Sequence, residues 1–239
     1  MNLTLKPASG LSGSSLKVIA MISMVIDHVA LYLMEHGTLL YETMRCVGRI
    51  AFPVFAFLIA EGFIHTRSRY RYFFTLLGFA VISEISWYLL NGADGTHNVM
   101  FTLALGVATL MVLENLLQRS LVLGFLWTLG MVGFASWLGV DYEWRGILLI
   151  IISYLYNTYA HSFPYSRGMQ FFCTFALMIH YGVIGAVMAC MILYVYNGTR
   201  GFVQGSIAKY GFYAFYPVHF ILFIQICERS FPGILMFKL

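Results

Sequence analysis

Asp27 and His28 lie side by side in an apolar run, LKVIAMISMVIDHVALYLM, residues 16–34. A run of that length can cross a bilayer as one helix, which takes ~20 residues. A charge near the centre of such a helix costs ~2.5–3.5 kcal/mol or more, so it is kept where it meets a partner, a cavity or a substrate. A neutral imidazole needs no ion partner there, and with an unperturbed pKa of ~6.5 it suits general-base chemistry. Neighbouring helix residues do not face each other. Asp27 is therefore not expected to orient His28. Its expected partner is Arg49 in the next apolar run, either as part of a site or as an ion pair that fixes helix packing.

Helix rise converts position into depth. Counted from the expected outer ends of the first three apolar runs, His28, Arg49 and Glu84 lie roughly 9, 8 and 9 Å deep. Asp27, His28, Arg49 and Glu84 are thus expected to line one cavity in the outer half of the membrane. Arg45, four residues before Arg49, shares its face. The inner end of the second run reads EGFIHTRSRYRY, with Glu61 about one turn inside and Arg67, Arg69 and Arg71 beyond it. Two readings stand for these arginines. They are positive charge retained on the cytoplasmic side, or a phosphate site, since guanidinium matches phosphate geometry.

The elements that must position these groups are membrane helices. The chain is 60% hydrophobic and 10% charged, with a mean hydropathy of +0.81, whereas soluble domains carry about 25% charged residues. The fold class is therefore all-α, a polytopic transmembrane bundle. Spans are expected near residues 16–34, 44–64, 72–90, 99–117, 120–138, 146–160, 171–196 and 212–230. The segment 171–196 is one long helix or two short ones broken at His180-Tyr181-Gly182, so the count is eight or nine. Residues 1–15 read as a flexible tail and 16–239 as one integral-membrane domain. The first apolar run is too long for a signal peptide's core and lacks a small-residue cleavage site.

With the N-terminus inside, Lys6, Lys17, Arg67, Arg69, Arg71, Arg119 and Arg167 fall on the cytoplasmic side, and only Arg45 and Arg145 at outer edges. That asymmetry favours a cytoplasmic N-terminus; beyond Arg167 the charges do not decide. The net charge of +4 is loop asymmetry, with no basic aromatic face for nucleic acid. Cys46, Cys173, Cys190 and Cys227 have no CxxC spacing, so neither a zinc site nor a disulfide frame is expected. His36, His65, His97, His161 and His180 lack metal-ligand spacing. An outer loop could bring His97 over the depth of Asp27. No GxxxxGK[ST] loop, HExxH pair or GxSxG elbow occurs.

The run IDH in the first span, VGRIAFPVFAFLIAEGFIHTR at 47–67, SEIS at 83–86, YNGTRG at 196–201 and FYAFYPVHF at 212–220 together resemble the TraX family. The likeness touches both ends of the chain. The family is named for conjugative-plasmid proteins that acetylate pilin N-termini, and it is similar to the wider set of membrane acyltransferases that includes the acyltransferase-three enzymes. The resemblance implies acetyl-CoA as donor and a membrane-embedded histidine at the chemistry; no metal is expected, and the expected location is a bacterial inner membrane. By position it implies Asp27, His28, Arg49, Glu61, Glu84, Tyr216 and His219 as functional residues. Ser86 departs from the family, where proline is expected after Ser-Glu-Ile and would break the helix. The expected activity moves an acetyl group from cytoplasmic acetyl-CoA to an amine or hydroxyl at the membrane or its outer face, such as a pilin-like N-terminus or a surface glycan. His28 is the expected base, His219 lies after Pro217, and Arg67, Arg69, Arg71, Glu61 and Tyr216 form the expected donor site. Buried Asp, His, Arg and Glu also suit a proton-coupled carrier, or an assembly factor whose polar groups only lock helices.

Overall fold

A computed structural model describes residues 10–159 and 166–230. Ten α-helices run through the described residues: α1 Gly13–Leu33, α2 Leu39–Gly48, α3 Ala51–His65, α4 Arg69–Asn91, α5 Val99–Arg119, α6 Leu121–Leu138, α7 Glu143–Tyr159, α8 Ser166–Met178, α9 Val183–Tyr194 and α10 Gly205–Ser230. Their starts follow local chemistry. Ser12, Thr38, Ser68 and Asn98 each accept a hydrogen bond from a first-turn amide of α1, α2, α4 and α5, using donors that a helix leaves orphaned.

Six segments are long and apolar enough to cross a membrane: α1, α2–α3 taken together, α4, α5, α6 and most of α10. The second expected span is broken at Arg49-Ile50. Pro53 has no amide hydrogen for the Arg49 carbonyl and is tolerated in the first turn of a new helix; the Ile50 amide instead bonds Val47 at 3.2 Å. By contrast α4 runs unbroken through Ser83–Ser86, so the serine at position 86 leaves the helix whole.

Segment 171–196 is two short helices. A 3-10 turn at Ile179–Tyr181 ends at Gly182, whose φ of 130° and ψ of 128° suit glycine alone. The Cys190 thiol lies 3.6 Å from the Phe171 carbonyl, so α8 and α9 fold back as a hairpin. At 1.5 Å per residue they rise roughly 20 and 18 Å, short of the ~30 Å hydrocarbon core. The hairpin returns the chain to the side of the N-terminus. There Leu11 pairs with Val195 and Asn197, and Gly13 and Ser14 with Thr199 and Arg200. The charge pattern beyond Arg167 thereby resolves: Arg200 and Lys209 join the N-terminal face. The tail read over 1–15 is shorter than expected, because Gly13–Ser15 already form the first turn of α1; residues 1–9 lie outside the described residues.

Helix α3 is the centre of the bundle, packing on α1, α5, α7 and α9. Phe57 and Phe63 on α3, Leu76 on α4, Leu110 and Leu113 on α5, Ile147, Leu149 and Ile150 on α7 and Phe220 on α10 are fully buried. Helix α6 is the opposite case, with most of its large apolar side chains exposed, and it packs on α5 and α7. On the far face, loops 92–98 and 139–142 are joined: His97 donates to Gly139 at 2.9 Å and accepts from Asp141 at 3.0 Å.

Candidate active site

Between α1, α3, α4 and α10 lies one cavity of about 920 Å³. One end is walled by Asp27, His28, Arg45, Arg49, Asp141 and Tyr142; the middle by Met24, Phe55 and Ile59; the mouth on the N-terminal face by Glu61, Arg67, Arg71, Lys17, Arg200 and Lys209. Arg49 and Arg67 flank α3 at opposite ends, roughly 27 Å apart at 1.5 Å per residue. The cavity therefore runs along most of the length of α3.

His28 is not free. Its Nδ1 lies 2.8 Å from His219 Nε2, and His219 Nδ1 lies 3.0 Å from the Phe215 carbonyl. A carbonyl only accepts, so His219 carries its hydrogen on Nδ1. Neutral His219 then accepts at Nε2, and His28 donates from Nδ1. This chain of bonds leaves the lone pair of His28 on Nε2, the nitrogen a general base uses. The tautomer is thus inferred from the bonding partners. Phe220 and Phe223 pack on the pair, with centroids 4.8 and 6.1 Å from His28. His219 is 4% exposed and backs His28. Tyr216, one turn earlier on α10, is on the cavity wall itself.

Asp27 pairs with Arg45, not Arg49, at 2.6 Å. Arg49 is still helical and its amide bonds the Arg45 carbonyl at 3.2 Å, so the two arginines share a face and both line the cavity, with Arg45 taking the direct contact. Gly48 explains the close approach of α1 and α2, since a Cβ there would overlap the Asp27 carboxylate. Arg49 reaches the Tyr142 side chain, lies 5.7 Å from the Tyr181 ring, and has Gly185 of α9 packed against its Cβ. It keeps its place on the cavity wall.

Glu84 leaves the expected set. It accepts from Asn98 Nδ2 at 2.6 Å and meets His97 Nδ1 at 2.5 Å, clasping α4 to the start of α5, and it does not line the cavity. His97 accordingly sits over Glu84 and not over Asp27. Arg69 also leaves. Both its terminal nitrogens bond Glu114 of α5 and its guanidinium lies 4.6 Å from the Phe63 ring, so only Arg67 and Arg71 of the three arginines reach the mouth. Glu61 stays, accepting from Tyr196 at 3.0 Å and Asn157 at 2.9 Å. Among the described residues no group of His, Cys, Asp and Glu could hold a metal ion.

Asp141 and Tyr142 lie between the expected spans 120–138 and 146–160, and no sequence motif marks them. Tyr142 and Glu143 have φ of 61° and 42°, a conformation costing bulky residues ~1–3 kcal/mol each. Stacking of Tyr142 on Phe52, at 3.6 Å between centroids and 6° between planes, holds the turn against the site. Burial, opposed by the Tyr142 amide and the charges of Arg49 and Arg45 and reinforced by that of Asp27, pushes the Asp141 carboxyl up to about 6. The unfolded value is ~3.9, so the folded chain holds this proton more tightly. Stability from this group is then full below pH ~4 and declines as pH rises through about 6. Asp141→Asn should therefore raise the thermal midpoint more at pH 7 than at pH 4. Equal shifts at both pH values would contradict the assignment.

A bundle of apolar helices enclosing a histidine pair and a cationic mouth defines a multi-pass membrane protein with a built internal site. The profile of the family described as "TraX protein" matches residues 12–227, and the chain belongs to the TraX family. It is 31% identical over 240 residues to a "Probable fimbrial assembly protein FimC, serogroup H1" of Dichelobacter nodosus, covering 88% of this chain and 93% of that protein. It is 30% identical over 142 residues to an uncharacterised protein of Rickettsia prowazekii (strain Madrid E), covering 59% of this chain and 54% of that one. No solved structure matches.

Proposed function

We propose that this protein is an acetyltransferase that takes the acetyl group of cytoplasmic acetyl-CoA and delivers it to an amine or hydroxyl acceptor at the outer end of the cavity. The observation that carries this reading is the single cavity joining a cationic mouth to His28. CoA is polyanionic, so its phosphates suit Arg67 and Arg71, and its thioester arm would extend inward beside α1. His28 Nε2 takes the proton as the acceptor nitrogen or oxygen attacks the thioester carbon. The tetrahedral oxyanion forms near Arg49, whose guanidinium stabilises the developing charge. On collapse the carbon–sulfur bond breaks, the thiolate leaves, and it takes the proton from His28. The products are the acetylated acceptor and free CoA. The name of the Dichelobacter relative brings forward a pilin-like N-terminus as one acceptor.

The donor half is tested by kinetics. Replacing Arg67 and Arg71 together by alanine should raise KM for acetyl-CoA tenfold or more, because each bond to a charged group contributes ~1.5–3 kcal/mol and ~1.4 kcal/mol is a factor of ten. Turnover should change far less. Arg69→Ala should leave KM near wild type, since that side chain is committed to Glu114. Unchanged KM in the double variant would return the loop to a topology signal and favour the carrier.

The same reading places the protein in a bacterial inner membrane with its N-terminus cytoplasmic. In a variant with the native cysteines replaced, Asp94→Cys should be labelled by an impermeant thiol reagent from outside whole spheroplasts. Labelling of that site only after the membrane is opened would invert the topology.

A further inference from the structure

The YNGTRG segment, residues 196–201, has no part in the scheme above, yet it is tied to the start of α1 by several hydrogen bonds. Residues 195–203 lie along residues 10–14. Leu11 donates to Val195 at 2.9 Å, Asn197 to Leu11 at 2.9 Å, Gly13 to Thr199 at 2.8 Å and Ser14 to Arg200 at 2.9 Å. The buried Ser14 hydroxyl acts twice, donating to the Arg200 carbonyl at 2.8 Å and accepting from the Val203 amide at 2.8 Å. Glu61 holds the other end through Tyr196. Gly198 and Gly201 have φ of 74° and 84°, and a Cβ on Gly201 would lie 2.7 Å from that of Ser12 and 2.8 Å from that of Ser14. The strap therefore needs glycine at position 201.

What the strap holds in place is a charge. Arg200 lines the mouth together with Lys17 of α1 and Lys209 of α10. The charge on Lys17 feels those of both Arg200 and Lys209, and none of the three forms an ion pair among the described residues. Keeping three like charges together opposes folding unless an anion completes the group. Arg67 and Arg71 line the same mouth from other elements, the connection between α3 and α4 and the start of α4, and neither is among the charges that act on Lys17.

We infer that Lys17, Arg200 and Lys209 form a second phosphate site, separate from that of Arg67 and Arg71, so that the mouth recognises a ligand with phosphate groups at two separated points. Ser14 and Glu61 are positioning residues that hold Arg200 in that site. The inference rests on the donor reading above, because acetyl-CoA offers two such points, a diphosphate linkage and a terminal phosphate monoester on the ribose. A monoester carries a charge of about −1.5 to −2, the denser of the two, and the three-cation site is its complement.

The test compares the affinity of the detergent-solubilised full chain for acetyl-CoA and for its analogue lacking the ribose phosphate. Wild type should prefer acetyl-CoA by roughly tenfold or more, since charge-assisted contacts to the phosphate monoester are at stake. Arg200→Ala should bring that ratio close to one. The Arg67→Ala, Arg71→Ala variant should weaken both ligands and keep the ratio. Ser14→Ala should lower the ratio partway and raise KM more than it lowers kcat, whereas a purely structural loss would scale with the folded fraction and leave the ratio intact. A ratio that is unchanged in Arg200→Ala, or lost only in the Arg67, Arg71 variant, overturns the second site while leaving acetyl-CoA as donor. Absence of binding of either compound to wild type removes the donor reading, and the second site with it.

Discussion

Acetyl transfer should fall by ~10²–10⁴-fold when His28 is replaced by alanine, the range a positioned general base contributes. Acetyl-CoA affinity should be nearly unchanged, because the phosphate-binding cations lie at the other end of the cavity. The variant should also stay folded, since His219 keeps its bond to the Phe215 carbonyl. His219→Ala should cost less. It removes the acceptor that holds the His28 hydrogen on Nδ1, so the imidazole can carry the hydrogen on either nitrogen and part of the population is inactive. His219→Gln offers a side-chain oxygen to His28 Nδ1 and should recover some of that loss. Near-native transfer by His28→Ala with loss in His219→Ala would exchange the two roles. If neither replacement mattered, the carrier would be the better description.

The second large effect concerns stability. Asp27→Ala should leave the Arg45 guanidinium uncompensated in a site where the pair is 16–17% exposed. Removing one partner of a buried ion pair costs ~3–5 kcal/mol, while replacing both by apolar groups is often near neutral; the residual exposure places this pair toward the lower end. Asp27→Ala should therefore lower the thermal midpoint in detergent markedly, and Asp27→Ala with Arg45→Met should recover much of the loss. Arg49→Ala should be less destabilising than Arg45→Ala while slowing turnover more, because Arg49 faces the cavity without a carboxylate bonded to it. If Arg49→Ala proved the more destabilising and Arg45→Ala silent, the pairing of Asp27 with Arg49 expected from sequence would be restored.

Periodicity and length were enough to place the helices, because a membrane span must satisfy its own backbone hydrogen bonds and so announces itself as a long apolar run. They were not enough to place the break at Arg49-Ile50, which depends on a proline near the start of the following helix, nor to choose between Arg45 and Arg49 as the partner of Asp27, since the two share one helical face. Depth counting put His28 and Arg49 at one level and both line the cavity. The same counting failed for Glu84, since depth says nothing of azimuth and Glu84 faces Asn98 and His97 instead. The basic loop 67–71 read as one unit, yet only two of its three arginines reach the mouth, because Glu114, forty-odd residues on, claims Arg69. Lys17, Arg200 and Lys209 come from three distant stretches, and no local pattern joins them. The hairpin at Gly182 does so, by returning residues 195–204 to the face of the N-terminus. Asp141 was hidden for a similar reason: a short connector acquires meaning only once its turn is seen packed against Phe52 and the outer end of the cavity.

The most direct measurement is a structure of the protein in a lipid nanodisc with a non-hydrolysable acetyl-CoA analogue. Its phosphates should lie against Arg67 and Arg71 and against the Lys17, Arg200 and Lys209 group. Its acyl carbon should lie at the His28 end of the cavity, close enough for an acceptor atom to touch both that carbon at ~3–3.5 Å and His28 Nε2 within hydrogen-bond reach. An analogue bound outside the cavity, or inside it with the acyl group directed away from His28, would contradict the transfer of acetyl groups through this site.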